Sequence, residues 1–474
     1  MTLFLNSALI GRILGASGFG QWAMIIAAAS IIHNVCFNWT YASGIRFGCE
    51  EWLKDGTISR TLAARLPLVI IGLLIALILL VLQPLNWLFV LFSIKGNLWW
   101  LVGAYSVGLW LMNELQTTLQ ASGQMNLLAL LSPVITIFFT IFLLLIFLIP
   151  REVNTPEWIV AGQMAITFII CIGIWLRKQK KKLFYLRIPV YEDIKRHLRF
   201  GWPLLPSFLV GNIVMWGNYL ILQAYHSSHE VGLFGAAYQI MLGIISLNGT
   251  LIIIVLPRLI AKNMESEDAC INFFNNIVPT LFCLWALVTI TIIAIIPSIF
   301  IVLFGKQFRD SQSILTLLAI AIPTSILPYM YDVLFNVQQR LYKEFIYSFI
   351  SMLVSLTVSF GLIPSMGGMG AAIGTVTALL VAQLLVMRDQ HNFMNTPLRR
   401  MGIMFLAVIL VCAFQYIIGV NIWVRVIWSA VSIYFLIMLF RKLKIVNSNL
   451  LSTIFSGHLS GIGAFLNRIL VARS

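Results

Sequence analysis

The chain is a succession of apolar runs, each about 20 residues long and each closed by a short polar or charged connector. A run of that length matches the ~30 Å hydrocarbon core of a bilayer at a helical rise of 1.5 Å per residue. In lipid, backbone polar groups must be satisfied within the segment, so helices are the form such runs take. Spans are read at 20–40, 66–91, 98–119, 127–149, 158–176, 203–225, 232–256, 279–303, 313–337, 346–363, 370–387, 402–419 and 422–440. Pro84 predicts a kink or an interfacial end in the long run at 66–91. With 60% hydrophobic residues and a mean hydropathy of +0.96, the composition lies beyond that of soluble domains. The expected fold is all-α and polytopic, with about 13 full spans.

Before Arg12 stand only about ten apolar residues, too few to cross the core. They lack the basic start and small-residue cleavage site of a signal peptide. This segment is read as a partial first helix, or as the end of a span that begins upstream. The six cysteines show no paired spacing, so no disulfide framework, metal site or redox pair is expected.

The 31 Lys and Arg outnumber the 16 Asp and Glu, a net charge of +15. They punctuate the spans and form no basic face with interleaved aromatics, so nucleic acid is not an expected partner. Nine of them lie in RKQKKKLFYLRIPVYEDIKRHLR, Arg177–Arg199. Such a block cannot enter lipid, and by the positive-inside rule it faces the cytoplasm. Alternating sides from there leaves only Arg12, Lys95, Arg151, Lys306, Arg309 and Arg425 on the opposite face. The tail after Arg441 is then cytoplasmic as well.

An internal repeat appears at an offset of about 214 residues. GFG at Gly18–Gly20 pairs with GLFG at Gly232–Gly235, each read as a turn opening a span. LIP recurs at Leu148–Pro150 and Leu362–Pro364, Pro67 pairs with Pro279, and Arg46 with Arg258. MNEL at Met112–Leu115 aligns with MYDV at Met330–Val333. The offset covers six helices, an even number, so the halves are parallel repeats about an axis along the membrane normal. The organisation expected is an N-terminal lobe at 1–176, a basic cytoplasmic linker at 177–201 and a C-terminal lobe at 202–387. Two additional helices at 388–440 and a tail at 441–474 follow.

RILGASGFGQWAM (Arg12–Met24), EVGLFGAAYQI (Glu230–Ile240), FGKQFRDSQSILTLLAI (Phe304–Ile320) and LIPSMGGMGAAIGT (Leu362–Thr375) occur in this order along the chain. Together they resemble strings of Wzx-type polysaccharide flippases, in the multidrug/oligosaccharidyl-lipid/polysaccharide flippase superfamily. The resemblance implies a two-lobed bundle of 12–14 helices in the bacterial inner membrane. It implies movement of undecaprenyl-diphosphate-linked oligosaccharide repeat units from the cytoplasmic to the periplasmic leaflet. The implied partners are that lipid-linked glycan, membrane lipid, and polysaccharide polymerase and chain-length proteins. No cofactor is implied, and the coupling ion is open between H+ and Na+. One departure stands out: many relatives carry an acidic–arginine pair early in the seventh helix, where this chain has Asn218-Tyr219.

A lipid-linked sugar needs cations for its diphosphate and amide, hydroxyl and aromatic partners for its sugars. Ionisable groups within spans face the bundle interior by default. Glu114 and Asp332 are repeat-related and are candidates for coupling or gating, either by binding a cation or proton or by pairing with an arginine in one access state. His33 is a third candidate for that role, against a plain buried histidine. Arg46 and Arg258 are candidates for the diphosphate at the cytoplasmic mouth, against ordinary positive-inside anchoring, and Arg12 is a candidate for the head group on the outer side, against capping the turn beside it. Asn113, Gln116, Asn212 and Asn218 are candidates for sugar contact, against interhelical hydrogen bonding. Gly370 and Gly374 are read as close helix packing. An enzyme is not expected, because a membrane polymerase or acyltransferase calls for a large outer loop or a paired His/Asp site. A cation-coupled multidrug or metabolite antiporter of the same superfamily is the alternative.

Overall fold

The computed structural model of the protein describes residues 2–81, 99–148, 155–179, 188–249, 265–337, 341–394, 398–418 and 421–443, with a few positions between 250 and 264. Arg258, Pro84, Arg340 and nearly all of the tail lie outside the described residues. No strand occurs among the described residues, and the protein is all-α. Among the described residues, ten helices are long and apolar enough to cross a membrane, or eleven if one bent pair is a single span. Two further expected spans correspond to helices below that mark. Trp99–Ala121 carries Asn113, Glu114, Gln116, Thr117 and Thr118, and Ser228–Ile245 leads into residues that are not described.

The chain divides into two compact units, Met1–Gly235 and Ala236–Ser474. In the first, α1 (Thr2–Cys36) leads through a 3-10 turn at Asn38–Thr40 into the short α2 (Tyr41–Asp55). There follow α3 (Ser59–Val81), α4 (Trp99–Ala121), α5 (Met125–Phe147), α6 (Pro156–Gln179), α7 (Tyr191–Gly201), α8 (Leu205–Tyr225) and the first turns of α9 (Ser228–Ile245). Leu115 and Leu119 of α4, Leu131 and Ile135 of α5, and Cys171 of α6 form one packed core.

Two expectations change here. The partial first helix and the span at 20–40 are one helical run, interrupted only at Gly15 (φ 70°, ψ −179°). The break is there, and Gly18–Gly20 is helical, because a positive φ is available to glycine at little cost and a string of glycines does not say which one uses it. The start of α3 also moves. Glu51 of α2 accepts hydrogen bonds from the backbone N–H of Arg60 (2.8 Å) and Thr61 (2.7 Å). A carboxylate on the unsatisfied N–H groups of a helix start is stabilising, and it fixes that start at Ser59. Arg65, expected outside the span, is therefore nearly two turns inside the helix.

The second unit completes α9 and continues with α10 (Glu267–Phe304), α11 (Ser311–Leu318), α12 (Ile326–Val337), α13 (Leu341–Met366), α14 (Gly368–Met394), α15 (Leu398–Ile417) and α16 (Ile422–Lys442). Ser266 caps α10 by accepting from the Ala269 N–H at 3.0 Å. The expected span at 313–337 is bent by 48° between Ala321 and Ile326. Pro323 lies in that break, where it offers no N–H to continue the helix. The tight turn at Gly367 (φ 53°) folds α13 back on α14. A Cβ on Gly370 would meet the Leu362 carbonyl at 2.7 Å and one on Gly374 the Ser359 hydroxyl at 2.0 Å, so these two glycines do serve close helix packing. In the same unit the buried Arg425 of α16 donates to Thr316 Oγ1 (3.0 Å) and to the Gln415 carbonyl (3.4 Å), tying α16 to α11 and α15.

Candidate functional site

The most ionic buried point of the first unit lies where α2, α3 and α4 meet. Arg65 donates through Nη1 to Glu114 Oε1 and through Nη2 to Glu114 Oε2, both at 2.8 Å. Their side chains are 1% and 8% exposed. This two-pronged pairing is the strongest geometry open to an arginine and a carboxylate. Arg65 Nη2 also donates to Thr40 Oγ1 at 3.1 Å, and the guanidinium carbon lies 5.4 Å from the centre of the Tyr41 ring. A Cβ on Gly44 would sit 2.5 Å from Arg65 Nη1, so α2 comes this close because position 44 has no side chain. Two donors remain without a partner there, Arg65 Nε and Trp110 Nε1, both fully buried.

A polar chain runs on from the pair. The Tyr41 hydroxyl lies 3.1 Å from His33 Nε2, and Asn113 Nδ2 lies 3.3 Å from the same nitrogen. Tyr41 also donates to the Trp110 carbonyl at 3.4 Å. Beside His33, Asn34 donates to Asn212 Oδ1 (2.8 Å), and Asn212 donates to the Phe208 carbonyl within α8. The structure thus gathers His33, Asn113 and Glu114 in one cluster, with Asn212 at its edge. Gln116 is half-buried one turn on from Asn113, and Asn218 is buried further along α8. Arg12 is exposed just before the Gly15 break. Asp332 is half-buried on α12, in the second unit.

Arg46 is not part of this cluster. It faces α7, with its guanidinium 4.9 Å from the Phe200 ring and 3.8 Å from Glu50. A second set of contacts clamps α7 there. Arg60 reaches Asp193 through Nε (2.6 Å) and Nη2 (2.7 Å). Arg196 reaches Glu50 at 2.7 Å and lies 4.0 Å over the Phe47 ring. His197 Nδ1 lies 3.0 Å from Ser43 Oγ. Arg60 is 60% exposed although Asp193 is only 11% exposed, so water screens the pair and replaces a truncated Arg60 at the carboxylate, and the expected cost of Arg60→Ala is about 1 kcal/mol. Thermal unfolding of the purified variant in detergent measures it, and a loss several times larger contradicts this reading.

Sequence reasoning missed Arg65, Tyr41, Thr40 and Asn34. Pro67 carried the usable signal: proline is tolerated in the first turns of a helix, but its presence two residues after Arg65 drew the helix start too far along the chain.

An all-α membrane protein of two helical units, with a charge pair and a polar chain buried inside one of them, belongs to the class of multi-pass membrane proteins. Its fold is shared with a structure titled "Lipid II flippase MurJ, inward closed conformation", with a TM-score of 0.72 over 93% of this chain and 96% of that one at 14% identity. A multidrug resistance MATE family transporter of the MOP superfamily, in an inward-facing conformation, aligns with a TM-score of 0.63 over 84% of this chain and 96% of that one at 16% identity. No curated protein matches the sequence. The family model described as "Polysaccharide biosynthesis protein" matches residues 1–259, more than half of the chain. The protein belongs to that polysaccharide biosynthesis family.

Proposed function

We propose that this protein is a Wzx-type flippase, which carries undecaprenyl-diphosphate-linked oligosaccharide repeat units of O-antigen, capsule or exopolysaccharide across the bacterial inner membrane by alternating access. The buried Arg65–Glu114 pair, continuous with hydroxyl, amide and imidazole groups, is the observation that carries this reading. Buried charge is costly in a membrane, and structure alone offers cheaper ways to hold two helices together. Here Glu114 neutralises Arg65. When a proton or cation occupies the carboxylate, the guanidinium is released to an anionic headgroup, and the amides and His33 are within reach of sugar hydroxyls.

The second half keeps the carboxylate as Asp332, but the repeat offset of 212 places Ile277 opposite Arg65. The charge switch is therefore assigned to the first half. The protein acts as a transporter and not as an enzyme, with the Arg177–Arg199 block and the C-terminus in the cytoplasm. H+ or Na+ supplies the coupling, and polymerase and chain-length proteins act on the exported unit.

Complementation of a flippase-null strain tests this, read as the disappearance of accumulated lipid-linked repeat units. Glu114→Gln or Asp332→Asn, at normal expression, is expected to abolish transport, with Glu114→Gln the variant that the charge switch singles out, and unchanged transport in both sinks the coupling role. The fold shared with the multidrug transporter favours an antiporter as the second reading. Deletion that changes drug sensitivity and leaves surface polysaccharide intact selects it.

A further inference from the structure

The helix α7 sorts its charges by face. Asp193, His197 and Gly201, four residues apart, form its buried side, and a Cβ on Gly201 would lie 2.6 Å from the Trp39 carbonyl oxygen. On that side and its flank the charges are matched, Asp193 with Arg60 and Arg196 with Glu50. The opposite side carries Tyr191, Lys195, Leu198 and Trp202 at helical spacing, with Arg199 beside them and Ile188 just before the helix. The apolar members are open to solvent: Ile188 is 91% exposed, Tyr191 71%, Trp202 61% and Leu198 42%. Lys195 and Arg199 are exposed as well, and neither makes an ion pair among the described residues.

We propose that this outer face of α7 is a docking surface for the headgroups of anionic phospholipids, so that α7 joins the first unit to the membrane surface. Aromatic and aliphatic side chains flanked by Lys and Arg are what an amphipathic helix presents when it lies in the interface, and Tyr and Trp settle at headgroup level. Charge complementarity selects the occupant. On this side Lys195 and Arg199 outnumber the exposed Glu192, Asp193 is already taken by Arg60, and the sequence just before the helix, Arg177–Arg187, adds six more basic residues. An anionic surface attracts each exposed cation, whereas a zwitterionic one offers only the apolar contacts. A soluble partner protein is the competing occupant. α7, Trp202–Leu204 and α8 run on as one helical stretch, Tyr191–Tyr225, so the Trp202 end of this face is the end nearest the span.

The test is hydrogen exchange of the full-length protein in nanodiscs, which needs no cargo and presents the same lipid on both sides. Its outcome therefore does not depend on the transport reading or on orientation. Backbone amides of 188–203 are compared in discs of phosphatidylcholine and in discs containing phosphatidylglycerol, with peptides of α10 as the internal control. Two cations at an anionic surface are expected to slow exchange in the anionic discs on the order of tenfold. The difference is expected to vanish in K195Q/R199Q, whose two sites are exposed and leave the clamped face intact. Equal exchange in the two lipids overturns the proposal. So does a slowing that survives K195Q/R199Q, or one that appears in neither disc and only when cell extract is added.

Discussion

Arg65→Ala is expected to destabilise the protein by about 3–5 kcal/mol, because it leaves the Glu114 carboxylate buried without its partner. Glu114→Ala strands the guanidinium in the same way and is expected to cost a similar amount. The double variant removes both charges and is expected to lose much less than the two single losses combined. Interhelical hydrogen bonds between neutral groups in membranes average only about 0.6 kcal/mol, so a coupling of several kcal/mol is the mark of a charge pair. The geometry supports the larger figure: two bonds of 2.8 Å between side chains 1% and 8% exposed. Unfolding of the four proteins in one detergent, analysed as a double-mutant cycle, measures it. Strict additivity would mean that water reaches one of the two groups and that the pair is not the isolated unit its burial indicates. Thr40→Val provides a lesser control, since it removes one neutral acceptor at 3.1 Å and leaves both charges paired.

The contrast between Arg65 and Arg60 also shows where a sequence stops being readable. The apolar runs made the helices legible, and polar residues inside them pointed to Glu114, His33, Asn113 and Asn212, which the fold brings into one cluster with its edge. Arg65 escaped because a cation at the border of an apolar run has the same appearance whether it anchors a span or enters it. What separates the cases is the helix start, and that is set by Glu51, a residue on another helix. Arg46 and Arg60 look alike in sequence, yet both turn to α7. The bend at Pro323 was signalled locally by a residue that cannot donate, but the apolar run continues across it and period alone reads one span. The sequence offsets align Asp332 with Glu114 but give no matching arginine, because Ile277 stands at the position that corresponds to Arg65.

Gly20→Ala and Gly232→Ala are each expected to cost about 3 kcal/mol, at the upper end for overpacking, because the obstructing atoms are backbone. A Cβ on Gly20 would lie 1.9 Å from the Ser228 carbonyl oxygen, and one on Gly232 would lie 1.8 Å from that of Ala16. Both carbonyls belong to the first turns of their helical segments, next to the Gly15 break in α1 and at the start of α9, and neither can rotate away as a side chain would. The four residues make a reciprocal arrangement. Ala16 and Ser228, like Gly20 and Gly232, are separated by 212 residues, an offset that already relates Pro67 to Pro279. Each glycine thus faces the carbonyl of the residue four positions before the other, so the two close approaches are exchanged copies of one contact within the first unit. Close approach of this kind allows Cα–H···O contacts and dense packing where lipid offers no hydrophobic drive. Reciprocity makes the prediction sharper than a pair of clashes. One methyl forces the two helices apart, and the second then enters space already opened, so the double variant is expected to be no worse than about one and a half single losses. Thermal unfolding in detergent followed by size-exclusion chromatography reads all three variants. Full additivity would show that the two contacts yield independently.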